Sequence, residues 1–506
     1  MQSALSHPCW TASTDAKTSA TVGFSCFCVY LATLCPTVYW YDSAEFAAAA
    51  VLLGIPHPPG YPLYVLIGHV FSYLPGDPAF AVNLMSAAFG ALAVGFCYLL
   101  ARRLGAKRVS AIVSALVLGT TRLVWDNAVV AEVYTPGLAA VLATWLLLLS
   151  GSRRGVVLAA GVAGLSLGLH LFVATCGLGF AVLVLGHGLA ITTPSELRKL
   201  VSSQMIVARA RLALACLASA ALGACVFLWL PVRAAMDPSM NFGDPSSWER
   251  FWWVVTGGNY KTWFATPSDT GERALLLLSL PARALTSAGA LLTIVGLVSL
   301  FTRAPLLASA LALGALGNVW FFFDYRVHDV EVFFIPAIAI ATCLLGVGLQ
   351  ALYELVRGHQ HPHLARALSM LAFGLPGILV LRNASWVDRS EYTEARDYGQ
   401  TMCDHLPANA KLLHFTTPSE WRMHSVFGEY FQKVIGCRPD VEVITMPTAL
   451  DTLARMRANE TLFLYEPVAE VVELFDIVPD GPAFRILRVR PERLPAPLLP
   501  NGARPQ

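Results

Sequence analysis

Long apolar runs separated by short polar loops dominate the pattern of the chain. Eleven of these runs are long enough to cross a bilayer as a helix, so each one predicts a membrane span. They lie at residues 20–39, 79–101, 109–125, 133–150, 155–174, 175–191, 211–231, 284–301, 304–323, 332–352 and 366–382. The pattern therefore predicts a polytopic α-helical membrane protein with about 11 spans.

Composition supports the membrane assignment. Of the 506 residues, 56% are hydrophobic and only 13% are charged, whereas soluble domains carry about 25% charged residues. The formal net charge is +2 and there is no basic tract, so binding to nucleic acid is not expected. The sequence also lacks the spacing of a zinc site, a P-loop and a dinucleotide-binding glycine motif.

The basic residues indicate how the spans are oriented. Lysine and arginine fall in alternate loops, at residues 102–108, 153–154, 198–211, 303 and 357–366. Since such loops stay in the cytoplasm, the polar N-terminus at 1–19 is predicted to be cytoplasmic. No small-residue cleavage site follows the first run, so we expect a retained span. The loop with Asp42 would then lie on the outer side of the membrane.

The chain changes character at about residue 383, where long apolar runs stop and charged residues become more frequent. We expect a transmembrane domain at 20–382 and a small α/β domain outside the membrane at 383–490. The Pro-rich end at 491–506 is predicted to be a disordered tail. This division predicts that the membrane part and the C-terminal part fold as separate units.

Short apolar segments predict the elements of the C-terminal α/β domain. They are strands at Lys411–Phe415, Val441–Met446 and Leu462–Tyr465, and a helix at Leu450–Ala458. Cys403 and Cys437 are the only cysteines of this part. An oxidising compartment would allow a disulfide between them, but two positions do not establish one.

One segment, directly after the first apolar run, combines carboxylates with a rigid turn. Asp42 and Glu45 are three residues apart, which on a helix places both on one face. The turn at 57–62 reads His-Pro-Pro-Gly-Tyr-Pro, and its prolines and glycine fix a non-helical shape. Carboxylates at a membrane boundary are costly to place and indicate a functional site. The alternative is an ordinary loop with acids at a helix N-terminus.

Other polar residues lie at the predicted outer ends of the spans. The candidates for substrate binding are His57, Tyr61, Glu132, Tyr134, His170, Arg233, Arg326, Asp329 and Glu331. A lone histidine such as His170 on an apolar face is more often a core residue than a ligand. The aromatic stretch at 248–260 is interpreted as an interfacial helix lying on the membrane, in preference to a substrate site.

Several motifs together resemble a known family. They are Asp42–Phe46, His57–Tyr64, Val82–Ser86, Glu132–Tyr134, Leu230–Arg233, Asn241–Pro245, Asp329–Phe334 and, in the tail, Arg438–Val441. In this order they resemble a large bacterial family of multi-span proteins. Its animal relative is an endoplasmic-reticulum protein O-mannosyltransferase that acts on plexin-type receptors. The family is similar to the GT-C class of glycosyltransferases, which take a sugar from a polyprenyl-phosphate carrier at the outer membrane face.

The resemblance implies a function. We expect an inverting GT-C-like glycosyltransferase that moves a hexose, with mannose as the first candidate, from a polyprenyl-phosphate sugar to an acceptor hydroxyl. The acceptor would be a protein Ser or Thr or a glycan. In that class the first outer loop carries the essential carboxylate, and Asp42 matches this position.

The chemistry of sugar transfer then assigns a role to several of the candidate residues. A single displacement needs one general base, which we assign to Asp42, with Glu45 orienting it or the sugar. The leaving phosphate needs a cation, and Arg233 is the first candidate because its guanidinium binds phosphate with two hydrogen bonds. No residue set matches a metal site, although Asp42, Glu45 and Glu132 could hold a divalent cation if they converge. No other cofactor is expected.

Two other classes of protein remain open at this point. A transporter or a flippase for lipid-linked sugars would also use acids and histidines within the membrane, but it favours inverted repeats and acids near the midplane. No convincing repeat is found, and the acids cluster at the predicted outer face. A sensor would instead carry its function in the C-terminal domain and not in the Asp42 loop.

Overall fold

A computed structural model describes residues 12–186, 203–258, 260, 264, 270–327, 329–358, 361–415, 417–445, 462–467, 472 and 475–489. The first helices are α1 (Ala12–Ala32), α2 (Asp42–Leu52), α3 (Pro62–Phe71), α4 (Pro78–Arg103), α5 (Arg108–Thr120), α6 (Arg122–Asp126), α7 (Tyr134–Leu148), α8 (Arg153–Ser166), α9 (Phe172–Thr175) and α10 (Gly177–Leu185). The later helices are α11 (Ser203–Ala224), α12 (Trp229–Ala234), α13 (Trp248–Val255), α14 (Thr270–Arg303), α15 (Pro305–Phe322), α16 (Ile335–Gly358), α17 (Pro362–Ala372), α18 (Gly374–Val387), α19 (Glu394–His405) and α20 (Pro418–His424). Two 3-10 turns (Cys225–Leu228 and Val330–Phe334) and a π-helix (Ser425–Ile435) complete the helical structure.

The structure contains several helices that can cross a membrane. Within the described residues, six segments are long and apolar enough: Pro78–Arg103, Ile206–Ala234, Gly271–Arg303, Pro305–Phe322, Val330–Gly358 and His363–Val387. Each predicted apolar run overlaps a helix, but α5 and α7 have only 13 and 15 residues, fewer than the roughly 20 of a full span. A multi-span protein is therefore confirmed, whereas the predicted number of spans is not.

The first helix lies earlier in the sequence than predicted. α1 begins at Ala12 and ends at Ala32, so part of the segment predicted as a polar N-terminus is helical. The cause is Asp15, which is fully buried. Its carboxylate accepts hydrogen bonds from Tyr98 Oη at 2.6 Å and Arg102 Nε at 2.9 Å. Because both partners belong to α4, the charged turn becomes part of the packed helix pair.

The basic loops meet at one end of the helical bundle. Arg103 Nη1, at the end of α4, donates to the carbonyl of Leu149 at 3.1 Å, just after α7. Lys107 Nζ lies 3.2 Å from Glu354 Oε1, near the end of α16. The start of α1 and the ends of α4, α7 and α16 are thus on one side, as the alternating basic loops predict. The compartment that this side faces stays a prediction.

A mixed sheet forms the C-terminal part of the chain. Its strands are β1 (Lys411–His414), β2 (Glu442–Thr445), β3 (Leu462–Leu464), β4 (Phe475–Asp480) and β5 (Ala483–Val489), in the order β2-β1-β3-β5-β4. β1 runs parallel to both neighbours, Lys411 lying opposite Glu442 on one side and Leu462 on the other, whereas β5 is antiparallel to β3 and β4. A parallel edge followed by a hairpin is typical of small α/β units.

The structure tests several predictions about this part. Three predicted strands are confirmed as β1, β2 and β3, each shorter by one or two residues. The sequence did not predict β4 and β5. Cys403 and Cys437 form a disulfide, with their Cα atoms 6.0 Å apart. The predicted helix at 450–458 and tail at 491–506 lie outside the described residues.

The C-terminal unit docks on three places of the bundle: the loop before α2, the start of α4 and the end of α6. Tyr430 Oη donates to Asp77 Oδ1 at 3.1 Å, and the indole N–H of Trp40 donates to Tyr392 Oη at 2.9 Å. Arg389, just after α18, pairs with Asp126 at 3.0 Å. The sheet and its helices thereby cover the end of the bundle where α2 begins.

Candidate active site

The first predicted carboxylates lie at the start of a short buried helix. α2 begins at Asp42, and the residues from Ser43 to Ala50 are all buried. Its alanines allow close packing: a Cβ placed on Gly68 of α3 would lie 2.8 Å from Ala50 Cβ. The helix is therefore held firmly, and the negative side chains of Asp42 and Glu45 occupy its first turn, where the helix dipole stabilises them.

The two carboxylates differ in exposure. The side chain of Asp42 is 43% exposed, whereas that of Glu45 is only 2% exposed. One turn of helix thus separates a carboxylate that a substrate can reach from one that is buried. The sequence predicts both on one face, as observed, but it does not predict which of them solvent reaches.

The rigid turn places His57 against both acids. The backbone N–H of His57 donates to Glu45 Oε1 at 2.8 Å, and its ring Nδ1 pairs with Glu45 Oε2. Its Nε2 lies 3.9 Å from Asp42 Oδ2. Gly60 allows this turn, since it has a positive φ of 84° and packs against Leu230. The result is an Asp42–His57–Glu45 triad.

The two neighbouring carboxylates determine the protonation state of His57. Burial alone would lower the pKa of His57, but the carboxylates of Glu45 and Asp42 raise it to about 9. The ring is therefore a cation at neutral pH, held between two acids. Glu45 is fully engaged with this histidine, so Asp42 is the carboxylate left to meet a reactant.

Glu132 joins the site through Ser43 of α2. Its Oε1 accepts a hydrogen bond from Ser43 Oγ at 3.3 Å, and its backbone is held by Ser86, whose hydroxyl accepts from the N–H of Glu132 at 3.1 Å. Burial raises the pKa of Glu132 well above its usual range, and the charges of Asp42 and Asp329 raise it further. The surroundings of Glu132 thus favour its protonated, uncharged form.

A row of aromatic rings leads away from His57. The rings of His57 and Tyr61 have centroids 5.2 Å apart, Tyr61 and His170 6.2 Å, His170 and Tyr134 5.2 Å, and Tyr134 and Phe333 5.8 Å. The structure therefore brings together four of the candidate residues from three distant segments. Phe333 was not among them; it belongs to a motif of the family resemblance.

The ring of His170 is buried among the aromatic rings of Tyr61, Tyr134 and Phe172. Its Nδ1 accepts the backbone N–H of Phe172 at 3.0 Å, which leaves a proton on Nε2. His170 can contribute a neutral hydrogen-bond donor and not a cation.

Arg233 lies at the other end of α2. Its Nε donates to the carbonyl of Leu53 at 2.6 Å, and its Nη2 to that of Leu52 at 3.1 Å. These carbonyls are about 15 Å along the helix from Asp42. The planar group that the sequence assigned to a phosphate therefore caps a helix C-terminus in this structure.

The remaining candidates follow α15. Arg326 comes directly after Tyr325, whose buried ring lies 5.1 Å from that of Phe333, so its backbone is at the end of the aromatic row. The charge of Asp329 helps to raise the pKa of Glu132, and Asp329 itself is exposed. Glu331 points elsewhere, since its Oε1 lies 2.7 Å from Arg283 Nη1. An ion pair with α14 is a structural role.

The predicted aromatic segment is an amphipathic helix. Trp248 and Trp252 of α13 are exposed, whereas Phe251 and Val254 are buried against Ile55 and its neighbours. Its buried face thus packs behind the His57 turn. The exposed face fits the interfacial helix that the sequence predicts.

Trp421 lies in the site, and the sequence pattern did not predict it. The indole Nε1 of Trp421 donates to Asp42 Oδ1 at 3.1 Å, across 379 residues of sequence. Trp421 belongs to the C-terminal unit, and no local pattern in the sequence links it to the Asp42 loop. Only the docked arrangement of the two parts reveals this contact.

The cluster offers a set of metal ligands. One ligand atom each from Asp42, Glu45 and His57 lie within 4.8 Å of one another. The sequence had named Glu132 as the third ligand, but Glu132 bonds Ser43 instead. A divalent cation bound here would have to displace the proton that His57 shares with Glu45.

Comparison with known proteins begins at the same helix. Residues 42–188 match the family described as the protein O-mannosyl-transferase TMEM260 N-terminal domain. The matched segment starts at Asp42 and includes His57, Glu132 and His170. The resemblance stated from the motifs is thus confirmed over these residues.

Two curated relatives share part of the chain. Protein O-mannosyl-transferase TMEM260 of Mus musculus is 35% identical over 119 residues, which cover 23% of this chain and 17% of the relative. The tmem260 protein of Dictyostelium discoideum is 30% identical over 115 residues, which cover 22% of this chain and 14% of the relative. The similarity therefore spans less than a fifth of either relative's length.

Two solved structures share the fold over nearly the whole chain. ArnT from Cupriavidus metallidurans bound to undecaprenyl phosphate has a TM-score of 0.58 at 14% identity, and the match covers 98% of this chain and 100% of that one. The apo state of ArnT has a TM-score of 0.60 at 12% identity, with the same coverage. The architecture is therefore ArnT-like, of the GT-C type.

Proposed function

We propose that this protein is a membrane glycosyltransferase. It transfers a hexose, with mannose as the first candidate, from a polyprenyl-phosphate sugar to a hydroxyl of a protein or glycan, with inversion. The observation that carries the proposal is the position of Asp42. It is the half-exposed carboxylate of a buried acidic cluster, and it opens the segment matching the O-mannosyl-transferase domain.

The fold supports a lipid-linked donor. ArnT, which has the same architecture, was solved with undecaprenyl phosphate bound. A polyprenyl tail needs apolar surroundings, and the apolar outer faces of membrane-spanning helices are of that kind. We place the reaction at the periplasmic face of a bacterial inner membrane, with the N-terminus and the basic loops in the cytoplasm.

Asp42 acts as the general base in this scheme. The acceptor hydroxyl gives its proton to Asp42 Oδ2, and the oxygen attacks the anomeric carbon of the donor sugar. The bond from that carbon to the phosphate oxygen breaks, and the polyprenyl phosphate leaves with the electron pair. A single displacement inverts the anomeric centre, and one base is enough for it.

The leaving phosphate gains negative charge and needs positive partners. The cation on His57 lies beside Asp42, and Arg326 follows the aromatic row. We assign the phosphate to these two groups first. Arg233 is only a third candidate, since its Nε and Nη2 already donate to carbonyls at the end of α2.

A transfer assay on the purified protein tests the proposal. Polyprenyl-phosphate sugars labelled in the hexose are offered with peptide and glycan acceptors, and label appearing in a water-soluble product is measured. We expect transfer from one donor and none in Asp42→Asn. In sealed vesicles, movement of an intact lipid-linked sugar across the bilayer without bond cleavage would instead establish a flippase.

A further inference from the structure

Asp42 is held by a side chain from the other end of the protein. The indole N–H of Trp421 points at Oδ1 of the carboxylate, with 3.1 Å between the two heavy atoms. The second oxygen, Oδ2, faces His57 Nε2 at 3.9 Å. Oδ1 thus accepts a hydrogen bond that the charge of the carboxylate strengthens, and among the described residues Oδ2 has no contact as short as that one.

The helix that carries Trp421 is fixed on both of its flanks. At its start, Thr417 Oγ1 accepts the backbone N–H of Glu420 at 3.2 Å, and buried Glu420 accepts the N–H of Phe415 at 2.7 Å. At its end, the ring of His424 stacks on that of His414 in β1 with centroids 4.1 Å apart. These contacts join α20 to the end of β1, an inner strand of the sheet, and so hold the helix that carries the indole.

The docking surface keeps α20 in place relative to Asp42. The guanidinium of Arg422 lies 4.9 Å from the centre of the Trp40 ring, two residues before Asp42. Tyr430, in the following π-helix, bonds Asp77. The indole therefore meets the carboxylate as part of an interface and not as a chance contact of a mobile side chain.

We infer that Trp421 is a positioning residue for Asp42 and that the C-terminal unit completes the active site through it. This inference rests on the proposed function for its catalytic meaning. The hydrogen bond stops rotation of the carboxylate about the Cβ–Cγ bond and holds Oδ2 toward the place of the acceptor hydroxyl. The 43% exposure of the Asp42 side chain shows that the indole leaves this approach open.

Steady-state kinetics of two ring variants separate positioning from packing. Trp421→Phe keeps an aromatic ring but removes the N–H, and kcat should fall roughly 10- to 100-fold while KM for donor and acceptor stays within about twofold. Trp421→His returns a ring N–H and should recover part of kcat. A rise in KM with unchanged kcat would overturn the inference, because it would make Trp421 a substrate contact.

Tyr430→Phe is the matched control. It removes the hydrogen bonds that Tyr430 Oη makes with Asp77 and with the N–H of Ala79 in the same interface, neither of which involves Asp42, Glu45 or His57. Its kcat should match that of the wild type, whatever its melting temperature. If Tyr430→Phe lowers kcat as much as Trp421→Phe, docking alone explains the loss and the inference fails.

Fluorine NMR gives a readout that needs no activity. The protein is labelled with 5-fluorotryptophan, and among its 12 tryptophans the Trp421 line is identified by its absence in Trp421→Phe. Asp42→Ala should move this line, and Glu331→Gln, which changes a distant ion pair, should not. If the Trp421 line does not move in Asp42→Ala, the contact between Trp421 and Asp42 is refuted. A moving line beside an inactive wild type would refute the proposed function alone.

Discussion

Two groups of acids and histidines lie on either side of the bond between Asp42 and Trp421. The first contains Asp42, Glu45 and His57. The second lies in the C-terminal unit, behind Trp421, and is made of His414, Glu420, His424 and Glu429, where His424 Nε2 is 3.3 Å from Glu429 Oε1. Both are built from the same side-chain types, so composition alone does not separate them.

The two groups differ in what solvent reaches. In the first, Asp42 is 43% exposed. In the second, His414 and Glu420 are 1% and 0% exposed, and among the described residues both ring nitrogens of His414 lack a hydrogen-bond partner. Burial also lowers the pKa of His414 to about 3. The first group can meet a substrate, and the second can only hold α20.

The largest expected effect comes from the exposed member of the first group. Asp42→Asn keeps the size and the hydrogen bond to the Trp421 indole but cannot take a proton from an acceptor hydroxyl. Because general-base catalysis contributes about 10²–10⁴-fold, turnover should fall by that factor in the transfer assay. Asp42 is the first residue of α2 and not its N-cap, and asparagine keeps the hydrogen bond from Trp421, so the melting temperature should stay close to that of the wild type.

The buried member of the first group should matter less. Glu45→Gln still accepts the N–H of His57 but loses the ion pair with its ring, and we expect kcat to fall about tenfold. Glu354→Gln, at the opposite end of the bundle, removes an exposed carboxylate paired with Lys107 and serves as the control. A loss in Glu45→Gln equal to that in Asp42→Asn would make the base assignment between the two acids untenable.

Arg233, at the far end of α2, is expected to affect stability and not turnover. Arg233→Ala removes two hydrogen bonds from a charged group to helix carbonyls, so the free energy of unfolding should drop by about 1–3 kcal/mol. Turnover per folded molecule should be kept. Denaturation and transfer are measured on the same sample, and a stable but inactive variant would return Arg233 to the carrier phosphate.

The smallest effect concerns the second group and pH. Burial raises the pKa of Glu420 from 4.5 to about 7, so the folded chain binds this proton more tightly than the unfolded chain does. The contribution of Glu420 to the free energy of unfolding is therefore greatest below about pH 4.5 and is lost as the pH rises to about 7. In Glu420→Gln the melting temperature should change less between these pH values than it does in the wild type. The same pH dependence in both proteins would contradict the raised pKa of Glu420.

The sequence predicts the parts of the fold and site that depend on local pattern. Apolar runs locate the helices, and the spacing of Asp42 and Glu45 places both on one helix face. It misplaces the first span, because the buried contact of Asp15 with α4 cannot be recognised locally. It assigns Arg233 by chemistry alone, and its carbonyl partners come from a segment 180 residues earlier. Trp421 is missed for the same reason, since docking of two units creates its contact.

One paired measurement tests the central claim that the exposed acid reacts and the buried acid supports. Single-turnover transfer with donor already bound, and thermal melting, are measured on Asp42→Asn and Glu420→Gln prepared together. The account predicts that Asp42→Asn loses about 10²–10⁴-fold in rate at an unchanged melting temperature, while Glu420→Gln keeps its rate and changes its melting temperature. Near-native transfer by a stable Asp42→Asn protein would contradict the account.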